Sequence, residues 1–183
     1  RALIAVVFGF AALIRILVGF HPHSGQDNYH GSQTSGDGGG AKFGDYEAQR
    51  HWMEITIHLP SIGDWYWYDL DWWGLDYPPL TAYVSWVCGW ASHYIAGPET
   101  VAFEDSRGIE DPTHKSFMRA TVLILDMLIF GTAVWFAAYR HDKRSLWTVL
   151  FTLVQPAIVL IDHGHFQYNT VALGLSIAAL GSI

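Results

Sequence analysis

Apolar positions in this chain gather into four blocks, at 2–20, 117–139, 145–161 and 170–183, and each block carries at most two charged residues. A helix rises about 1.5 Å per residue, so roughly 17–25 residues cross a hydrocarbon core of about 30 Å. The first three blocks have that length, and the fourth is still apolar where the chain stops at Ile183. The pattern predicts an all-α, polytopic membrane protein with spans at those positions. The third span should bend near Gln155-Pro156, because proline lacks the N–H that an unbroken helix requires. Ala2–Phe20 holds Arg15 and is not followed by a small-residue cleavage site, so it reads as a retained span rather than a signal peptide. An opening on Arg1 instead of Met, and an end inside an apolar run, predict the N-terminal part of a longer polytopic chain.

Residues 21–116 separate the first two spans. His21–Phe43 is rich in Gly, Ser, Asp and Asn without apolar periodicity, and reads as a polar loop. Helical spacing begins at Gly44. Asp45 stands where an N-cap belongs. Glu47, Arg50 or His51, and Glu54 recur at steps of three and four residues on one face, with Trp52, Ile55 and Leu59 opposite and Pro60 as terminator. This predicts an amphipathic helix over 45–59 lying on the membrane. A second interfacial helix is predicted over 79–96. It starts at Pro78-Pro79 and is interrupted by Ser85, Gly89, Ser92 and His93.

Charge decides sidedness. Arg140, Lys143 and Arg144 belong in the cytosol by the positive-inside rule, and the acid-rich 21–116 loop belongs on the far side. If 79–96 does not cross, Gly44–Trp52 and Asp162–Asn169 lie on one face and can contribute to one site. If it crosses, they lie on opposite faces and the charge rule is strained.

Composition adds exclusions. The lone Cys88 removes any internal disulfide and any Cys-based zinc site. With a formal charge of −7, no nucleic-acid partner is expected. His21, His23 and His30 sit in a low-complexity loop, and His163 and His165 have no third ligand placed by spacing, so no metal is expected. Polar chemistry concentrates instead in GDYEAQRHW (Gly44–Trp52) and DHGHFQYN (Asp162–Asn169). Between them, SIGDWYWYDLDWWGLDYPP interleaves Trp and Tyr with Asp64, Asp69, Asp71 and Asp76. That stretch is read both as an interfacial aromatic belt and as a wall that packs on sugar C–H faces while carboxylates accept from hydroxyls.

A polar site at a membrane surface suits transfer of a sugar from a polyprenyl phosphate to a hydroxyl. Such a step needs a base and cations for the leaving phosphate. Asp45 or Glu47 can be the base. Arg50, His51, His163 and His165 are candidates for the phosphate, while Gln167, Tyr168 and Asn169 can bond hydroxyls or order their loop. Helix capping alone would also account for Asp45, and for the 162–169 loop. Arg15 either snorkels to the interface or holds a lipid phosphate.

GDYEAQRHWMEIT, WYWYDLDWWGLDYPPLTAY, MRATVLILD and LIDHGHFQYN, in that order, closely resemble the N-terminal part of the endoplasmic reticulum alpha-1,3-glucosyltransferases that use dolichyl phosphate glucose. The wording is closest to the branch that adds the first glucose to lipid-linked high-mannose oligosaccharide. The sister branch, which adds the second, looks bulkier around Gly74–Tyr83 and at Gly164. The resemblance implies a GT-C-type architecture with a large first lumenal loop carrying interfacial helices, an endoplasmic reticulum location and a lumenal active site. It implies Asp45 as general base for the 3-hydroxyl of a terminal mannose, inversion at the anomeric carbon, and no cofactor. Glu47, Arg50, His51, Trp52, Asp76, Tyr77, His163, His165, Gln167, Tyr168 and Asn169 are then the substrate- and phosphate-binding candidates. Implied partners are dolichyl phosphate glucose, dolichyl-diphosphate-linked oligosaccharide and the bilayer. The stretch 21–43 departs from the family by being longer and more Gly-rich. A non-catalytic transporter of dolichol-linked sugars is the alternative of another class; it calls for polar residues deep in the spans, where only Arg15, Asp126 and Gln155 stand out.

Overall fold

The structure is a computed structural model and describes residues 2–26, 44–141 and 146–182. Most of the polar stretch 21–43, and Lys143 and Arg144 of the basic cluster, lie outside those residues. Among the described residues every regular element is helical. In chain order these are α1 (Ala2–Gly19), α2 (Asp45–His58), α3 (Ile62–Trp67), α4 (Leu70–Trp73), α5 (Pro79–Ile95), a 3-10 turn (Pro98–Val101) and α6 (Pro112–Leu125). A π-helical segment, Asp126–Gly131, then runs into α7 (Thr132–His141), followed by α8 (Leu146–Leu153), α9 (Pro156–Val159), a second π segment (Leu160–Phe166) and α10 (Asn169–Gly181). The chain forms two compact units, Ser24–Met118 and the remainder, Arg1–His23 with Arg119–Ile183.

The remainder is the apolar unit. Ala2–Gly19 and the continuous helix Pro112–Arg140, which belongs to this unit from Arg119 onward, are long and apolar enough to cross a bilayer. The latter starts five residues before the apolar block, because Asp111 accepts from the amides of Thr113 (2.7 Å) and His114 (3.1 Å) with Pro112 in the first turn. Leu146–Leu153 and Pro156–Phe166 pass the same test together but meet at a 41° bend, at the proline. Asn169–Gly181 is apolar and shorter.

Val7, Ala11, Phe130, Val134, Val149 and Leu153 form this unit's core. Leu3, Val6, Phe10, Leu13 and Leu17 of α1 point outward, an arrangement suited to lipid rather than water. Gly174 lets α10 approach the Ile129–Phe130 backbone so closely that a Cβ there would lie 2.8 Å from it.

Arg15 follows neither of its two expected courses. It is 1% exposed, and its Nε donates to Asp126 Oδ2 (2.5 Å) while Nη1 donates to Leu153 O (2.7 Å). His163 Nε2 lies 2.8 Å from the same Asp126 oxygen. An uncompensated guanidinium in an apolar unit would cost several kcal/mol, and Asp126 supplies the counter-charge without leaving the helix layer.

The other unit, Ser24–Met118, is built on α2 packed against α5. Gly89 makes that contact possible, since a Cβ there would lie 2.6 Å from Met53 O. Ala48, Trp52, Ile55, Trp65, Leu75 and Ala82 form its core. Behind α2 runs a buried polar chain: Tyr46 Oη to His114 Nδ1 (2.8 Å), His114 Nε2 to Ser92 Oγ (3.2 Å), and Ser92 Oγ to Thr100 Oγ1 (2.9 Å). Against the amphipathic surface helix expected over 45–59, every residue of α2 from Tyr46 to Thr56 is buried. The polar face closes on itself through ion pairs rather than facing water.

Candidate active site

The residue that opens α2 is a glycine. Gly44 adopts φ 61°, ψ −142°, a left-handed backbone that L side chains rarely take, and a Cβ there would stand 2.5 Å from Ser24 O. Gly44 therefore occupies the cap position expected for Asp45, and Asp45 becomes the first helical residue. There its carboxylate sits in the field of the helix N-terminus, which stabilises negative charge. The side chain is half-buried. Gly44→Ala is expected to destabilise the protein by more than about 1 kcal/mol, from the strained φ and the clash together; an unchanged thermal unfolding midpoint would contradict this account of the cap.

One turn further on, Arg50 is fully buried between two carboxylates. Its Nε and Nη2 fork onto Glu47 (2.8 and 2.6 Å), and Nη1 donates to Glu54 Oε2 (2.7 Å) and to Ser106 Oγ (2.5 Å). Burial alone would lower the Arg50 pKa, but Glu47 and Glu54 hold it above the ordinary value. Burial would likewise raise the Glu54 carboxyl; the His51 ring, the Arg50 charge and the Glu104 amide (2.7 Å) outweigh it and bring the pKa down to about 2. The phenol of Tyr46 is pushed far up by burial and then by Glu47. Glu47 and Arg50, both expected to serve substrate, are thus bound to each other inside the fold. Glu47 also accepts from Trp72 Nε1 (3.1 Å).

His51 is buried with Nδ1 3.5 Å from Glu54 and Nε2 3.5 Å from Asp69, and among the described residues neither nitrogen makes a closer hydrogen bond. Trp52 donates from Nε1 to Trp73 O (3.0 Å) and packs on Tyr77, with ring centroids 5.2 Å apart. The Tyr77 carbonyl accepts from Tyr66 Oη (2.7 Å), and Asp76 beside it is exposed. Asp45, Glu47, Arg50, His51, Trp52, Asp76 and Tyr77 therefore all belong to one unit, with α2 as its axis. Ser106 and Arg107 are the residues sequence reasoning left off the site, because they stand in an unpatterned loop, whereas Asp69 and Trp72 fall within the stretch read as a sugar-binding wall.

The 162–169 loop is ordered within the apolar unit. Asp162 accepts from the amides of Asn169 (3.1 Å) and Thr170 (2.7 Å) and so caps α10. Asn169 Nδ2 bonds Asp162 Oδ1 (3.1 Å) and Gln167 Oε1 (2.7 Å), and Tyr168 Oη pairs with Thr121 Oγ1 (2.7 Å). His163 is buried on Asp126, whereas His165 is exposed. Phe166 is held at φ 84°, a strained value for a bulky residue, with the Arg119 guanidinium 4.9 Å above its ring and Arg119 donating to His163 O. Of the four phosphate candidates, Arg50 and His163 are tied down by carboxylates, His51 is buried, and His165 is the one at the surface.

Apolar helices long enough to span a bilayer, in one chain with a helical unit rich in carboxylates and indoles, define a membrane protein equipped for polar chemistry. The particular family follows from comparison with known proteins: residues 11–183 match the ALG6, ALG8 glycosyltransferase family, and the chain belongs to it. It is 43% identical over 187 residues to the dolichyl pyrophosphate Man9GlcNAc2 alpha-1,3-glucosyltransferase of Saccharomyces cerevisiae, covering 97% of this chain and 32% of the yeast protein. The Mus musculus protein of the same name is 49% identical over 154 residues (80% of this chain, 30% of the mouse protein). A probable enzyme of that name from Arabidopsis thaliana is 45% identical over 186 residues, 95% and 32% of the two chains. The chain thus spans about a third of the length of these curated relatives.

Proposed function

We propose that the protein containing this chain transfers glucose from dolichyl phosphate glucose to the 3-hydroxyl of a terminal mannose on dolichyl-diphosphate-linked high-mannose oligosaccharide. The observation that carries the reading is Asp45: a half-buried carboxylate as the first residue of α2, in the field of the helix N-terminus. Asp45 takes the proton of the mannose hydroxyl as its oxygen attacks the anomeric carbon of glucose. The bond from that carbon to the phosphate oxygen breaks, and dolichyl phosphate leaves with the electron pair. A single displacement inverts the beta-linked donor to an alpha product. Glu47 is the alternative base by residue type, and its two bonds to Arg50 argue for a structural role. His165 is assigned to the substrate side of the 162–169 loop, and no metal or other cofactor takes part.

The reading places the protein in the endoplasmic reticulum membrane, with a GT-C-type architecture, residues 21–116 in the lumen and the active site on that face. The names of the relatives support the first-glucose reaction over that of the sister enzyme. A transporter reading is disfavoured because Arg15 and Asp126, two of the few polar groups expected within the spans, are consumed by each other.

The test is transfer from labelled dolichyl phosphate glucose by the full-length protein, offered acceptors bearing no glucose or one. Product is expected with the unglucosylated acceptor. Product from the mono-glucosylated acceptor alone would assign the chain to the sister enzyme, and none from either would remove the enzyme reading.

A further inference from the structure

Asp69 and Arg107 form an ion pair that the mechanism above does not use, and both are open to the surface, at 17% and 27% side-chain exposure. Several features show that this pair is more than a surface salt bridge. Asp69 is held at φ 51° and ψ 48°, a left-handed backbone at the junction of α3 and α4. The Arg107 guanidinium lies 5.7 Å from the centroid of the Trp72 ring, and Trp72 is itself moored to Glu47 of α2. Behind them His51, fully buried, directs Nε2 at Asp69 from 3.5 Å, with no hydrogen bond to that nitrogen among the described residues, while Nδ1 faces Glu54. Arg107 Nε is also buried, with no hydrogen-bond partner among the described residues.

Buried polar atoms are nearly always satisfied, so the two beside the Asp69 carboxylate, His51 Nε2 and Arg107 Nε, call for an explanation. The set is chemically mixed: Asp69 only accepts and Arg107 Nε only donates. A simple anion would be repelled by Asp69, and a simple cation by Arg107. A group that donates and accepts at adjacent atoms meets both, and neighbouring hydroxyls of a pyranose are such a group. Trp67, two residues before Asp69 and 79% exposed, offers an uncovered indole for the C–H face of the same ring.

We propose that Asp69 and Arg107, backed by His51 and Trp72, form a binding subsite for a hexose unit of the acceptor glycan other than the one that reacts. The inference rests on the glucosyltransferase reading and deepens it. Asp45 and His51 are six residues apart on α2, which separates them by roughly 9 Å along the axis and about 120° around it. The subsite therefore takes a different sugar of the branched acceptor, and it contributes to recognition rather than to proton transfer.

The test uses full-length protein with dolichyl phosphate glucose and two acceptors, one complete and one trimmed to the reacting arm. Arg107→Lys and Asp69→Asn are each expected to raise the KM for the complete acceptor about tenfold, with the KM for the trimmed acceptor changed less than about twofold. Equal losses with both acceptors, or no change with either, would overturn the subsite. The pair also joins two segments of the unit, so the thermal midpoint of each variant is measured as well. Midpoints within a few degrees of wild type are expected beside the selective rise in KM; a rise in KM that follows loss of stability and falls equally on both acceptors would reduce the pair to a folding contact and end the proposal. A wild-type protein that glucosylates neither acceptor would instead remove the underlying enzyme reading.

Discussion

Asp45→Asn should lower glucose transfer by about 10²–10⁴-fold, the span that loss of a positioned general base produces. Asparagine keeps the size of the side chain and removes its ability to take a proton. As the first residue of α2, Asp45 also has a structural role, and neutralising it forfeits its interaction with the helix N-terminus, worth about 0.3–1 kcal/mol. Activity and stability should therefore part company: transfer collapses while the thermal midpoint moves by a few degrees. The measurement is labelled glucose transfer by microsomes containing the full-length variant, beside unfolding of the purified protein. Retention of more than a tenth of wild-type activity would remove Asp45 as the base and turn attention to Glu47.

The largest effect on stability is expected at Arg50. Arg50→Met leaves Glu47 and Glu54 buried and facing each other without their shared cation. Breaking a buried ion pair from one side costs about 3–5 kcal/mol. Arg50→Lys should recover only part of that, because an ammonium cannot fork onto Glu47 while also reaching Glu54 and Ser106. Thermal unfolding of the three proteins checks the order, and a stable Arg50→Met would show that the cluster does not hold α2. Acid should reveal the same cluster. Glu54 has its folded pKa lowered from 4.5 to about 2. Its contribution is therefore complete above the ordinary value and is lost as pH falls from there toward 2.

The helical class and the apolar blocks were legible in the sequence because a bilayer imposes a length that periodicity alone reveals. The location of polar chemistry in Gly44–Trp52 was legible too, from the density of ionisable residues there. The sequence did not show how those residues spend their charges. Helical spacing put Glu47, Arg50 and Glu54 on one face, which fits an exposed stripe and a buried ion cluster equally well. Only the packing of α5 and of the loop holding Ser106 separates the two. The same holds for Arg15, whose partner Asp126 lies 111 residues away. Asp45 stands one position inside the cap that the spacing predicts, because the cap is set by the positive φ of Gly44, which residue type and spacing do not reveal.

Gly44 carries one more consequence. Its Cα hydrogen points at the backbone of Ser24 and Gly25, so the chain returns at residue 44 to where it departed at residue 25. Any segment joining those two positions is closed at its base, and the entropy of closing a chain grows only with the logarithm of its length, by about 0.6 kcal/mol for each doubling. α2 therefore starts from the same pinned point whatever number of residues lies in between.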